Sequence, residues 1–178
     1  MAIRMSKTWL IRVTLIIAVL ALAGIALSCS SSSPSEALNF TLPTLTGANI
    51  TLSEMEGTPV VLNFWSIGCS WCRYQLPFLE AVAQQSEGEI EVIAVNVVDS
   101  AASVQNFFGD YEPTMIVALD SNRETFVNYC QKDNPRGAIP FTLFVDSEGI
   151  IQYVQIGAFS SEAALWDKLS SVLGITAP

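Results

Sequence analysis

Short apolar runs alternate with stretches of helical period over most of this chain. "PVVLNFW" (Pro59–Trp65) and "IEVIAVNVV" (Ile90–Val98) are largely apolar and of strand length, the pattern of strands buried on both faces of a sheet. "MIVAL" (Met115–Leu119) is a third such run. Ahead of them, short strands around Phe40–Leu42 and Ile50–Leu52 are joined by a turn at Thr46–Asn49. After Cys69 the period becomes helical, with Leu76, Leu79, Val82 and Ala83 on one face and Pro77 expected to interrupt and kink the helix. "SAASVQNFFGDY" predicts a helix ending near Gly109, and "NRETFVNYC" a short one. "FTLFVD" and "IIQYVQI" are strands joined through Ser147–Gly149, a tight turn that implies a hairpin. The last helix, "SSEAALWDKLSSVLG", turns Leu165, Leu169, Val172 and Leu173 inward. Strands alternating with helices, then a hairpin and a closing helix, predict an α/β layered domain with a mixed sheet.

The N-terminus follows another pattern. Arg4, Lys7 and Arg12 precede "VTLIIAVLALAGIAL" (Val13–Leu27), an uncharged run shorter than the ~20 residues of a membrane-spanning helix. It reads as an export signal. Cys29 follows small residues and opens a serine-rich stretch, which resembles a bacterial lipoprotein signal with Cys29 as the acylated mature N-terminus. Ala26 stands where such signals favour leucine. An uncleaved anchor starting near Trp9 and a soluble cleaved export product are the alternatives to this preferred reading. All three put the domain outside the cytoplasm. The expected organisation is a targeting segment over 1–28, a lipoprotein-like serine-rich linker over 29–37 and a folded domain over 38–178.

Charge narrows the partners. Of 8 basic and 17 acidic residues, three basic ones and no acidic one precede Cys29, so the exported part carries 5 against 17. Such a surface repels phosphate backbones and argues against nucleic acid. It equally disfavours a polybasic grip on anionic lipid, leaving Cys29 or the apolar segment to hold the membrane. The chain has no histidine. That removes His-based zinc sites and Ser–His or Cys–His catalytic pairs.

"NFWSIGCSWCRYQLP" (Asn63–Pro77) places Cys69 and Cys72 where a buried strand gives way to a helix. Unsatisfied amides and the dipole at a helix start stabilise a thiolate, and the spacing brings the second sulfur within disulfide reach. Cys69 is then the exposed nucleophile and Cys72 the resolving thiol. A structural staple gains stability by closing a long loop, and this one closes almost none. A zinc site lacks its other half. Two thiolates could hold Cu(I), so a copper metallochaperone remains the rival from another class.

"VVLNFWSIGCSWCRYQLPFLE" resembles the active-site segment of the membrane-anchored thiol-disulfide oxidoreductases of the TlpA/ResA type. "LPTLTGANITLSEMEGTPVVLNFW" is similar to their N-terminal hairpin and entry strand, "EVIAVNVVDSAASVQNFF" to their strand and central insert, and "GAIPFTLFVDSEGIIQYVQIG" to their cis-proline strand and hairpin. The likeness runs from about Leu38 to Leu173. It implies a thioredoxin fold: a mixed central sheet flanked by helices, with an N-terminal β-hairpin and a central insert.

The resemblance further implies Trp65 packed beside the disulfide and Pro140 as a cis-proline facing it. Ile139 would offer backbone hydrogen bonds to a bound peptide as an added strand. No cofactor is implied, since the dithiol is the redox centre. The implied partners are protein thiols and disulfides, apocytochrome c among them, and a membrane thiol-reductant transporter. A reductant role is implied more often than oxidative folding, which stands as the first alternative.

The departures from the family pattern concern protons and potential. Where the family commonly carries a glutamate, three residues after the second cysteine, this chain has Gln75. A neutral amide shuttles no proton, so water or another carboxylate must serve. Glu80 follows on the same helix and reads as a solvated surface charge. Ser70 and Trp71 separate the cysteines in place of the frequent prolines, and Trp71 is expected to be a partly exposed partner contact. Cys130, at helical spacing from Phe126 and Val127, is expected to be an inert core thiol rather than a third redox thiol or an intermolecular bridge.

Overall fold

The computed structural model describes residues 35–178; Cys29 and the apolar run expected to be a targeting segment lie outside the described residues. A six-stranded sheet forms the centre, built from β1 (Ser35–Glu36), β4 (Val60–Trp65), β5 (Glu91–Asn96), β6 (Ile116–Leu119), β7 (Phe141–Val145) and β8 (Ile150–Ile156). Its order is β1-β8-β7-β4-β5-β6. β4 pairs in parallel with β5 and antiparallel with β7, which makes it the central strand, buried along its whole length. A separate two-stranded hairpin joins β2 (Thr41–Pro43) to β3 (Asn49–Thr51). A 3-10 turn, Leu52–Met55, follows it.

Among the described residues four helices flank the sheet: α1 (Ser70–Gln85), α2 (Ala101–Phe108), α3 (Glu124–Asp133) and α4 (Glu162–Leu173). The period-2 alternation of β4 divides the core between two faces. Val61 and Trp65 pack with Leu76, Leu79 and Val82 of α1, Val104 of α2, and Leu165, Trp166 and Leu169 of α4. Val60, Leu62 and Phe64 point the other way, against Phe126 and Tyr129 of α3 and Phe40, Leu42, Ile50 and Leu52 of the hairpin region. Burying one such side chain contributes about 1.5–3 kcal/mol, so both layers are needed to hold β4. Among the described residues no helix is long and apolar enough to cross a membrane.

Two sequence expectations change. The linker expected over 29–37 yields its end to the sheet: Ser35 and Glu36 form β1, paired with Ile151 and Ile150 of β8. Strand addition uses backbone groups, so the polar composition of this stretch did not announce it. Pro77, expected to interrupt α1, lies inside one helix that runs unbroken from Ser70 to Gln85. Its missing N–H forfeits only the bond to the carbonyl of Arg73. Both residues are exposed, where water can serve that carbonyl.

The helix starts are served from outside as well as inside. Ser100 and Ser161 cap α2 and α4 by accepting from Ser103 N and Ala164 N. For α3 the acceptor is Asp120, at the end of β6 and 1% exposed. Its carboxylate takes Phe126 N at 2.7 Å and Thr125 N at 3.3 Å.

Candidate functional site: a dithiol facing a proline loop

Cys69 is the N-cap of α1, in extended backbone, and its Sγ accepts from Cys72 N at 3.1 Å. The cap bond thus ends on the sulfur that would carry charge in the reduced state, where helix amides favour it. Cys69 and Cys72 are joined as a disulfide, with Cα atoms 5.2 Å apart. Cys72 is buried while Cys69 is partly exposed, which suits a buried resolving sulfur and an accessible attacking one.

The strand–helix junction is held by groups the sequence did not single out. Asp99, after β5, accepts from Ile67 N at 2.8 Å and from Asn96 Nδ2 at 2.9 Å. Asn96 Oδ1 in turn accepts from Val98 N and Asp99 N. The turn after β5 is therefore rigid, and it fixes the backbone two residues before Cys69. An aspartate directly after a strand run was the available signal.

Opposite the disulfide, the Ile139–Pro140 peptide bond is cis, and Ile139 O lies 3.6 Å from Cys69 Sγ. Trp65 is fully buried in the same cluster as Cys72, with Phe107 and Phe108 at ring distances of 5.5 and 6.0 Å. It is a core aromatic on the same face of the sheet as Cys72. Trp71 is 67% exposed and meets Tyr74 edge-on; Tyr74 OH donates to Ser160 O at 2.8 Å. A groove of about 420 Å³ between α1 and α2 is lined by Arg73, Leu76, Pro77, Phe107 and Phe108 among others.

Three residues on from Cys72 along α1, Gln75 belongs to a neutral polar cluster. Gln75 is 1% exposed; its Nε2 donates to Thr142 Oγ1 at 3.1 Å, and its Oε1 accepts from Phe159 N at 2.9 Å. Asn63 Nδ2 donates to the same Thr142 hydroxyl at 2.8 Å. Asn63 and Thr142 are register partners on β4 and β7. Each is the single polar residue in an otherwise apolar strand, and that coincidence was the overlooked sign that they meet.

Glu80 is not the solvated surface charge expected from sequence. It is buried, with Oε1 accepting from Thr114 N, Tyr111 OH and Gln84 Nε2 and Oε2 from Met115 N, at 2.8–3.1 Å. Burial alone would raise its pKa, but the bonds from Thr114, Met115 and Tyr111 outweigh it and hold the carboxyl below its ordinary value. An ionised carboxylate with four donors ties α1 to the segment before β6 and has no proton to lend the dithiol. Cys130 is a free thiol buried in the core on the opposite face of the sheet from Cys72. Burial pushes its pKa up, with Arg123 and Asn134 offsetting part of the rise.

Residues 34–154 match the model of the AhpC/TSA family. The chain belongs to the AhpC/TSA family. Within that family's reach, it is 30% identical over 144 residues to the thiol-disulfide oxidoreductase ResA of Bacillus subtilis (strain 168), covering 80% of this chain and 77% of the relative. The thioredoxin-like protein YneN of the same organism is 28% identical over 130 residues, covering 71% and 73%. Among solved structures, DsbF of MTB, in mixed oxidized and reduced forms, superposes with a TM-score of 0.65 at 25% identity, covering 78% of this chain and 98% of that one. StoA from Bacillus subtilis superposes at 0.60 with 23% identity, covering 74% and 96%, a likeness of fold. The fold is the thioredoxin fold, and this AhpC/TSA member is a thiol-disulfide oxidoreductase with a Cys69–Cys72 pair.

Two substitutions test the buried polar groups of α1. Gln75→Glu would bury a carboxyl that still accepts from Phe159 N, and burial should raise its pKa into the range of the assay. The rate of disulfide reduction should then gain an ionisation between about pH 5 and 8 that the parent lacks; an unchanged profile would mean that position 75 handles no proton. Glu80→Gln sets an amide N–H against Met115 N and should cost about 2 kcal/mol in denaturant unfolding at neutral pH. Because the folded-state pKa of Glu80 is lowered, its contribution is complete above the unfolded carboxyl value and fades as pH falls through the folded one. The stability gap between parent and variant should therefore narrow in acid.

Proposed function

We propose that this protein is tethered to the extracytoplasmic face of a bacterial membrane, by lipid on Cys29, and reduces disulfides in polypeptide substrates. The observation that carries the reading is the approach of Ile139 O to Cys69 Sγ. This approach supports a reading in which the backbone just before β7 pairs with a partner alongside the sulfur that attacks or is attacked. Exposed Trp71, two residues on from Cys69, supplies an apolar contact for the same partner.

In the reducing direction the Cys69 thiolate attacks a substrate disulfide, forming a mixed disulfide and releasing one substrate thiolate. Cys72 then attacks Cys69 Sγ, frees the second substrate thiol and leaves the Cys69–Cys72 disulfide. The proton lost by Cys72 passes to water or to the departing thiolate, because Gln75 cannot accept it and Glu80 is engaged elsewhere. Electrons return from a thiol-reductant transporter in the membrane. Haem-binding cysteines of apocytochrome c are the substrate class the resemblance favours.

Cys69→Ser should abolish exchange, and Cys72→Ser should accumulate mixed disulfides with natural partners. Two active mutants would remove the pair from the mechanism. The direction of flow is read by acid-quenched thiol trapping in intact cells, followed by mass analysis of the membrane form. Alkylated Cys69 and Cys72 on a chain starting at acylated Cys29 are expected. A disulfide at this pair would assign the protein to oxidative folding, and an intact Met1 would replace the lipid with an uncleaved anchor.

A further inference from the structure

We propose that Asn134 is a positioning residue for peptide substrates, its side-chain amide holding the Ala138–Ile139 backbone at the distance and angle that face Cys69. This rests on the reading above that a substrate strand pairs with Ile139. Asn134 ends α3 and is 1% exposed, although its neighbours Asp133 and Pro135 are polar or exposed. A buried carboxamide needs partners for its donors and its acceptor. Two of them come from one residue, four positions on: Nδ2 donates to Ala138 O at 2.7 Å, and Ala138 N donates to Oδ1 at 3.0 Å; the side chain also bonds the Cys130 thiol. The exchange copies the two-bond pairing of antiparallel strand neighbours, with a side chain standing in for a strand. Asn134's own backbone closes the same loop, donating to Cys130 O at 3.1 Å and accepting from Gly137 N at 2.8 Å. Gly137, at φ +61°, makes the turn between them.

The loop is held differently on its two sides. Downstream, Gly157 N donates to Pro140 O at 2.8 Å and Phe141 enters β7. Upstream, Asn134 stands alone: among the described residues no other hydrogen bond reaches Ala138 or the N–H of Ile139. The Ile139 N–H shares its peptide plane with Ala138 O, so its direction follows from Asn134, while the Ile139 C=O shares its plane with the cis Pro140 and the side chain packs on the core. A substrate strand needs those groups in line, since hydrogen bonds weaken steeply off their geometry. A small disulfide attacked by Cys69 needs neither.

The test compares reduced full-length protein with Asn134→Ala and Asn134→Asp on two substrates. One is hydroxyethyl disulfide; the other is an extended synthetic peptide whose single cysteine carries a glutathione disulfide. Asn134→Asp keeps the acceptor for Ala138 N and sets an oxygen against Ala138 O. The peptide KM should rise about tenfold in either variant, while kcat and the hydroxyethyl disulfide rate stay within about twofold. An unchanged peptide KM, or equal losses on both substrates, overturns the proposal. If Asn134→Ala fails to fold, Asn134→Asp carries the same comparison; failure of both to fold assigns Asn134 to stability and overturns the positioning role. A parent protein that reduces hydroxyethyl disulfide but not the peptide defeats the peptide-exchange reading and this proposal with it. An active parent with unaffected variants defeats the positioning role alone.

Discussion

Antiparallel pairing of β7 against β4, with Phe141 opposite Phe64, is the constraint on which the site depends. Because the two strands run in opposite directions, the beginning of β7 lies at the end of β4. The residues just before Phe141 are Ile139 and Pro140, and the segment just after Trp65 leads to Cys69. Seventy residues of sequence separate Cys69 from Ile139, and this one register brings them together. β5, parallel to β4, ends at the same edge and delivers Asn96 and Asp99 to the junction. The disulfide thus sits where two parallel strands finish and an antiparallel one starts. The layers on each face hold that edge rigid by burying β4 completely.

The polar groups inside the domain divide by charge. The buried cluster closest in sequence to the cysteines, Asn63, Gln75 and Thr142, is neutral and internally bonded. The buried carboxylates, Glu80 and Asp120, each take several backbone donors and stitch elements together: α1 to the approach of β6, and β6 to the start of α3. A charge is retained in the interior only where such donors compensate its desolvation. In the proposed exchange, the neutral Gln75 amide and the fully engaged Glu80 leave solvent as the counterpart for the thiol protons. Glutamate at position 75 would change that, because its oxygens would meet one backbone N–H and one hydroxyl rather than four donors.

Much of this was legible in the residues. The runs that became β4, β5, β6, β7 and β8 and the periods that became α1 to α4 are local patterns, and each element lies within a few residues of its expected place. The placement of Cys69 at a helix start was equally local. Glu80 was misread because a carboxylate on a helix is normally solvated, and its four donors come from its own helix and from a segment some thirty residues on. Ser35–Glu36 were misread because an edge strand can form from backbone alone. Thr142 and Asp99 were passed over because one polar residue in a run says little until its cross-strand or loop partner is known.

The sequence by itself therefore determined the element order, the two apolar faces, the strand-to-helix seat of the dithiol and the absence of histidine chemistry, all properties carried by short windows or by composition. Only the tertiary structure decided that Gln75 is sealed in a neutral cluster, that Glu80 is a tie rather than a solvated charge, and that Asn134 grips Ala138. The physical reason is that hydrogen-bond partners and burial of polar side chains depend on the register between distant strands, and register is a property of the assembled sheet.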